Sequence, residues 1–69
     1  MKNRVNDSRQ RLGWSQQRLA DELGVSRQTV ISIERGRFDP SLPLAFRIAA
    51  VFHSTLEDLF LPEEQPPKP

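Results

Sequence analysis

Apolar residues recur along this chain in short helical stripes separated by polar or glycine-containing interruptions. Leu19, Ala20 and Leu23 stand at i, i+1 and i+4, and Val30 and Ile33 at i and i+3, so each stretch offers one apolar face with the period of a helix. Between the two stripes lies Gly24-Val25-Ser26. Gly24 follows the last apolar residue of the first stripe and suits the left-handed position just past a helix end. Ser26 stands where a hydroxyl would accept an orphan amide of the next helix, and Val25 is the residue such a turn sends inward. The pattern predicts two short amphipathic helices, over 16–23 and 27–35, joined by a tight turn.

The same reading extends to both sides. Val5 and Leu12 anchor a first helix over 2–11, with Arg9 partly inward and Gly13 ending it; Ser15 caps the second. Ser41 caps a fourth helix from Leu42 to about Phe52, with Pro43 in the first turn, where its missing N–H costs nothing. Leu44, Ile48, Val51 and Phe52 recur there at i, i+4, i+7 and i+8, and Leu42, Ala45 and Ala49 widen the band. Thr55 caps a fifth helix over 56–60, with Glu57 and Asp58 complementing the helix dipole in its first turn. No strand is evident. The expected fold is all-α, five helices over residues 1–61, followed by a disordered, Pro-rich acidic tail over 62–69.

Size and composition narrow the functions available. Sixty-nine residues make one small domain that buries only about 60% of its unfolded surface, so help from a partner is expected. The chain has no Cys and a single His, His53, which removes disulfides, thiolate metal sites and a histidine cluster; no metal and no cofactor is expected. Nothing resembles a signal peptide, and no apolar run approaches the ~20 residues of a membrane span, which predicts a cytoplasmic protein without membrane contact. The net charge of +1 is unevenly distributed. Residues 1–53 hold nine Lys and Arg against five Asp and Glu, and residues 54–69 hold Lys68 against four acids, so the end with the paired helices is positive.

The second of the paired helices carries the chemistry. Val30 and Ile33 belong inside, which turns Arg27, Gln28, Ile31, Ser32 and Arg35 outward. Arg and Gln pair bidentately with guanine and adenine in the major groove, and an apolar group suits a thymine methyl. A merely solvated face would be rich in Arg and Gln, but rarely includes an isoleucine. Two short helices with this turn and this face make a helix-turn-helix. Base readout is expected from Arg27, Gln28, Ile31 and Ser32. Contact with the DNA backbone is expected from Gln16, Gln17, Ser26 and Thr29 at the two helix N-termini, and from Arg35 and Arg37 beyond the second helix.

The stretch QQRLADELGVSRQTVISIERGRFDPSL closely resembles the phage repressor and Cro-like family of helix-turn-helix regulators, in particular its short stand-alone bacterial and archaeal members. The resemblance covers residues 2–61 and rests on Gln16, Ala20, Gly24, Val25, Glu34, Gly36 and then Pro40-Ser41-Leu42. It implies that Gln16 clamps the DNA backbone. It also implies that Arg9 pairs with the half-buried Glu34, a structural ion pair tying the first helix to the end of the third. The chain departs from the family at Ser8 and Trp14, where leucine is usual, and at His53, where glycine is usual.

These features predict a small transcriptional regulator that binds double-stranded DNA by sequence. One such domain reads too few base pairs for specificity, so a homodimer on a palindromic operator is expected, joined through Leu44, Val51, Leu59 and Leu61. A DNA-binding antitoxin or restriction-modification controller shares the pattern, and a helical protein–protein adaptor is the rival from another class. No small-molecule ligand is evident. An enzyme is not expected, because no acid–base pair or nucleophile accompanies Glu34.

Overall fold

The computed structural model describes residues 1–61; the tail expected to be disordered, 62–69, lies outside them. In chain order the elements are β1 (Lys2–Asn3), α1 (Val5–Arg11), α2 (Gln16–Leu23), α3 (Arg27–Glu34), α4 (Leu42–Val51), α5 (Leu56–Leu59) and β2 (Phe60–Leu61). The five helices stand where the hydrophobic pattern put them: α2 has the expected ends, α1 starts three residues later, and α3, α4 and α5 each end one residue sooner.

The larger difference lies at the two ends of the described chain. Residues 2 and 3 do not begin α1. They pair antiparallel with the end of α5, Lys2 opposite Leu61 and Asn3 opposite Phe60, and the Arg4 amide donates to the Leu59 carbonyl at 2.7 Å. Asn3 fixes the break. Its Oδ1 accepts the Val5 amide at 3.1 Å, and its Nδ2 donates to the Ile33 carbonyl at 2.7 Å, so one side chain starts α1 and fastens it to α3. Two-residue strands are too short to show an alternating pattern, which is why the sequence showed no strand.

Helix starts follow the serine and threonine positions. Ser15, Ser26, Ser41 and Thr55 each accept the amide three residues on, from Arg18, Thr29, Leu44 and Asp58. Helix ends share a second device. After α1, α2, α3 and α4 a left-handed residue turns the chain: Gly13 at φ 72°, Gly24 at 72°, Gly36 at 73° and His53 at 52°. At each, two amides reach back to the last carbonyls of the helix, as in Gly24 to Asp21 and Val25 to Ala20. His53 performs without glycine what the three glycines perform with ease.

Val5, Leu19, Ala20, Leu23, Val30, Ile33, Ile48, Ala49 and Leu59 form the core, with Trp14, Val25, Leu44, Val51, Phe52, Leu56 and Phe60 packed against it. Val25 therefore points inward from the turn, as expected. Leu12 does not: it caps the end of α1 and is 49% exposed, because Gly13 turns the chain before its side chain can reach the interior. Trp14 covers the core edge instead, tilted against Phe52 at 6.2 Å, with the Arg18 guanidinium 4.7 Å from its ring centre. Among the described residues, no helix is long and apolar enough to cross a membrane.

Candidate nucleic-acid interface

The tight turn of residues 24–26 sets α2 and α3 against each other, and each helix is held by its own N-terminal serine. Burying Val30 and Ile33 fixes the rotation of α3. Arg27 and Gln28 are then exposed, and Ile31 and Ser32 half-buried along the outer side, with Gln28 and Ser32 one turn apart. All four residues expected to read bases thus lie outside the core.

The N-termini of α2 and α3 open onto a common hollow lined by Arg9, Ser15, Gln16, Gln17 and Arg27. Free amides of a helix start and nearby guanidinium groups suit a phosphate. Gln17 Nε2 donates to Asp21 Oδ1 at 2.9 Å, one turn further along the exposed side of α2. Thr29 Oγ1 lies 2.9 Å from Ser26 Oγ, so the two hydroxyls share one bond at the start of α3. Beyond α3, Gly36 reverses the chain and the amides of Arg37 and Phe38 both reach the Ser32 carbonyl, at 3.0 and 3.3 Å. Arg35 and Arg37 emerge exposed from this reversal.

Behind the hollow sits Glu34, whose side chain is 4% exposed. Arg9 Nε donates to Oε2 at 2.7 Å and Nη2 to Oε1 at 3.3 Å, while Asn6 Nδ2 and Gln16 Nε2 donate to Oε1 at 2.9 and 3.2 Å. Arg9 Nη1 also donates to the Trp14 carbonyl at 2.7 Å. The expected Arg9–Glu34 pair is present, and it is part of a larger knot that joins α1, the start of α2 and the end of α3. Burial pushes the Glu34 carboxyl up. The hydrogen bonds from Arg9, Asn6 and Gln16, with the charge of Arg9, outweigh that and hold it below the ordinary value.

Gln16, expected on the DNA backbone, therefore faces inward with its amide nitrogen while lining the hollow, and Glu34 orients it. The sequence missed two members of this frame. Asn6 lies on the same side of α1 as Arg9, three residues away, and that spacing was the available signal; Gln10 holds it in turn, Nε2 to Oδ1 at 2.7 Å. Arg47 of α4 donates to the Leu23 carbonyl at 2.8 Å and so closes the end of α2, a contact that no local spacing announces.

The residues expected at a dimer interface divide. Leu59 is 1% exposed and belongs to the core, since the short α5 turns it inward beneath the β1–β2 pair, so it is not available to a partner. Leu44 and Val51 pack against the core, and Leu61 is half-buried in β2. The large apolar side chains that α4 leaves outside are Leu42, 61% exposed, and Phe46, 55% exposed, one turn apart.

The helix-turn-helix family pattern matches residues 7–59. An uncharacterised HTH-type transcriptional regulator of Methanocaldococcus jannaschii is 50% identical over 64 residues, covering 93% of this chain and 97% of that protein. Another, YgzD of Bacillus subtilis, is 48% identical over 65 residues, 94% and 98% of the two chains. A third, from Archaeoglobus fulgidus, is 40% identical over 65 residues, 94% and 93%. With that pattern spanning most of the chain, over residues that fold into a helix-turn-helix and its flanking helices, this protein belongs to the Cro/C1-type helix-turn-helix family.

Proposed function

We propose that this protein is a small transcriptional regulator that binds double-stranded DNA by sequence, with the helix of residues 27–35 in the major groove. The observation that carries the reading is the shared hollow at the starts of α2 and α3, beside an outward face bearing Arg27 and Gln28. Such a hollow seats a backbone phosphate while α3 lies along base edges. Arg27, Gln28, Ile31 and Ser32 read bases. Gln16, Gln17, Ser26, Thr29, Arg35 and Arg37 position the helix on the backbone. The names of the relatives, all HTH-type transcriptional regulators, support the same role.

The reading includes a homodimer on a palindromic operator, since one recognition helix reads only a handful of base pairs. Leu42 and Phe46 of α4 form its contact; Leu44 and Val51, expected there, lie on the opposite flank of the helix and pack on the core. No catalytic role is assigned, because the Glu34 carboxylate is engaged by four donated bonds and serves as structure. Selection of bound sequences from random duplexes tests the reading. The expected result is an inverted repeat whose binding weakens steeply with salt; a protein that enriches no sequence and binds no duplex at low salt overturns it.

A further inference from the structure

Phe38 has no packing explanation. It is 47% exposed, in the loop that follows α3, and the hollow it lines is otherwise polar: Ser26, Gln28, Thr29 and Ser32. The loop does not leave it free to wander. Gly36 at φ 73° turns the chain, and the Arg37 and Phe38 amides both bond the Ser32 carbonyl, so the residue is anchored beside the last turn of α3. Its neighbours Gln28 and Ser32 are two of the residues on the outward face of that helix. Exposed Arg35 and Arg37 precede it in the chain, on the approach to a polyanion.

An aromatic ring fixed at the rim of a reading helix, among hydroxyls and an amide, offers an apolar wall in a place otherwise built for hydrogen bonds. The feature of a base edge in the major groove that such a wall recognises is the C5-methyl of thymine. The amide of Gln28 and the hydroxyl of Ser32 complete the cup with groups suited to the polar edge of the same or the adjacent base. We propose that Phe38 is a specificity-determining residue, whose ring with Gln28 and Ser32 forms a receptor for one thymine methyl in each half-site. This inference rests on the reading of the protein as a DNA-binding regulator, and adds to the expected base-reading residues one from outside α3.

The experiment uses the full chain and the duplex of highest affinity recovered from a random pool. The same duplex is prepared with each thymine in turn replaced by deoxyuridine, which removes only the methyl. Wild-type protein should lose about fourfold in affinity at one thymine per half-site, the burial value of one methyl group. Phe38→Ala, which removes the ring from both half-sites, should lose about sixteenfold on the unmodified duplex, the square of that factor, and become indifferent to deoxyuridine at that position. Phe38→Leu should keep most of the methyl preference, and both variants should melt at the wild-type temperature, since the ring lies outside the core. The proposal is overturned if Phe38→Ala binds as well as wild type, if its affinity falls but every deoxyuridine penalty persists, or if no thymine methyl matters to the wild-type protein. Failure of wild-type protein to select any duplex is a different result: it removes the DNA-binding reading itself.

Discussion

His53 is the residue at which this chain works against its own backbone. Its φ of 52° places it where the other three helix ends carry glycine, and an L side chain there costs about 1–2 kcal/mol. Glycine would relieve that strain and lose part of the gain to the wider freedom of the unfolded chain. The net effect of His53→Gly is stabilisation of about 0.5–1 kcal/mol, read as a rise in Tm of about 2–8 °C by thermal denaturation. An unchanged or lower Tm would mean that the imidazole makes a compensating contact. A second pair of residues separates two kinds of DNA contact. Arg27→Ala should cost about 1–3 kcal/mol on the preferred site and relax one position of it. Arg37→Ala should weaken all sequences alike and reduce the salt slope by about one unit. Quantitative binding across a mismatch series and a salt series distinguishes them, and an identical pattern for both variants would refute the division of roles.

Among the helices, α1 and α3 depend on a single carboxylate. All four hydrogen bonds to Glu34 are donated to it, so an amide in its place turns one end into a donor facing donors and leaves the Arg9 charge, 11% exposed, without its counter-ion. Glu34→Gln should therefore destabilise by about 3 kcal/mol despite its nearly identical shape. Denaturant titration measures this, and a loss under 1 kcal/mol would show that the knot is dispensable. The pH dependence has a definite sign. Because the folded carboxyl titrates below its ordinary value of 4.5, its contribution is complete above that pH and is lost as pH falls through the lower folded value. Wild-type stability should fall more steeply below pH 4.5 than that of Glu34→Gln.

The same elements show how much could be read from the chain alone. Caps, turn glycines and the apolar stripes of α2, α3 and α4 are local signals, each confined to a few residues, and they located every helix. The β1–β2 pair, the Asn3 bridge to Ile33 and the Arg47 cap on α2 join residues 24 to 59 positions apart, and nothing near either partner betrays them. Leu12 and Leu59 failed for a related reason. Both are leucines at helix ends, and which way an end residue points depends on the turn that follows and on the element that covers it. The outward face of α3 was readable because burial of Val30 and Ile33 leaves it only one rotation. The place of Phe38 beside that face needed the loop geometry.

Taken as one body, the molecule has an apolar surplus and a charge asymmetry, and together they bear on assembly. Leu42 and Phe46 lie one turn apart on the outer side of α4, more than half exposed, in a domain too small for its core to supply generous stability. Two exposed apolar side chains at helical spacing on each of two copies can meet across a two-fold axis, where the same patch serves both partners. The positive charge of residues 1–53 favours bringing two recognition helices onto one polyanion, into successive major grooves about 34 Å apart. Phe46→Asp should separate the copies without touching the core, because Phe46 is 55% exposed. Sedimentation at micromolar concentration should show wild-type protein at twice the 7.9 kDa chain mass and the variant at 7.9 kDa. The variant should keep the wild-type helical content and lose at least tenfold in affinity for the inverted repeat, while its affinity for a single half-site is unchanged, because the partner's recognition helix no longer arrives with it. A wild-type monomer at that concentration, with a Phe46→Asp variant that holds the full inverted repeat as tightly, would end the dimer proposal and leave each chain reading its half-site alone.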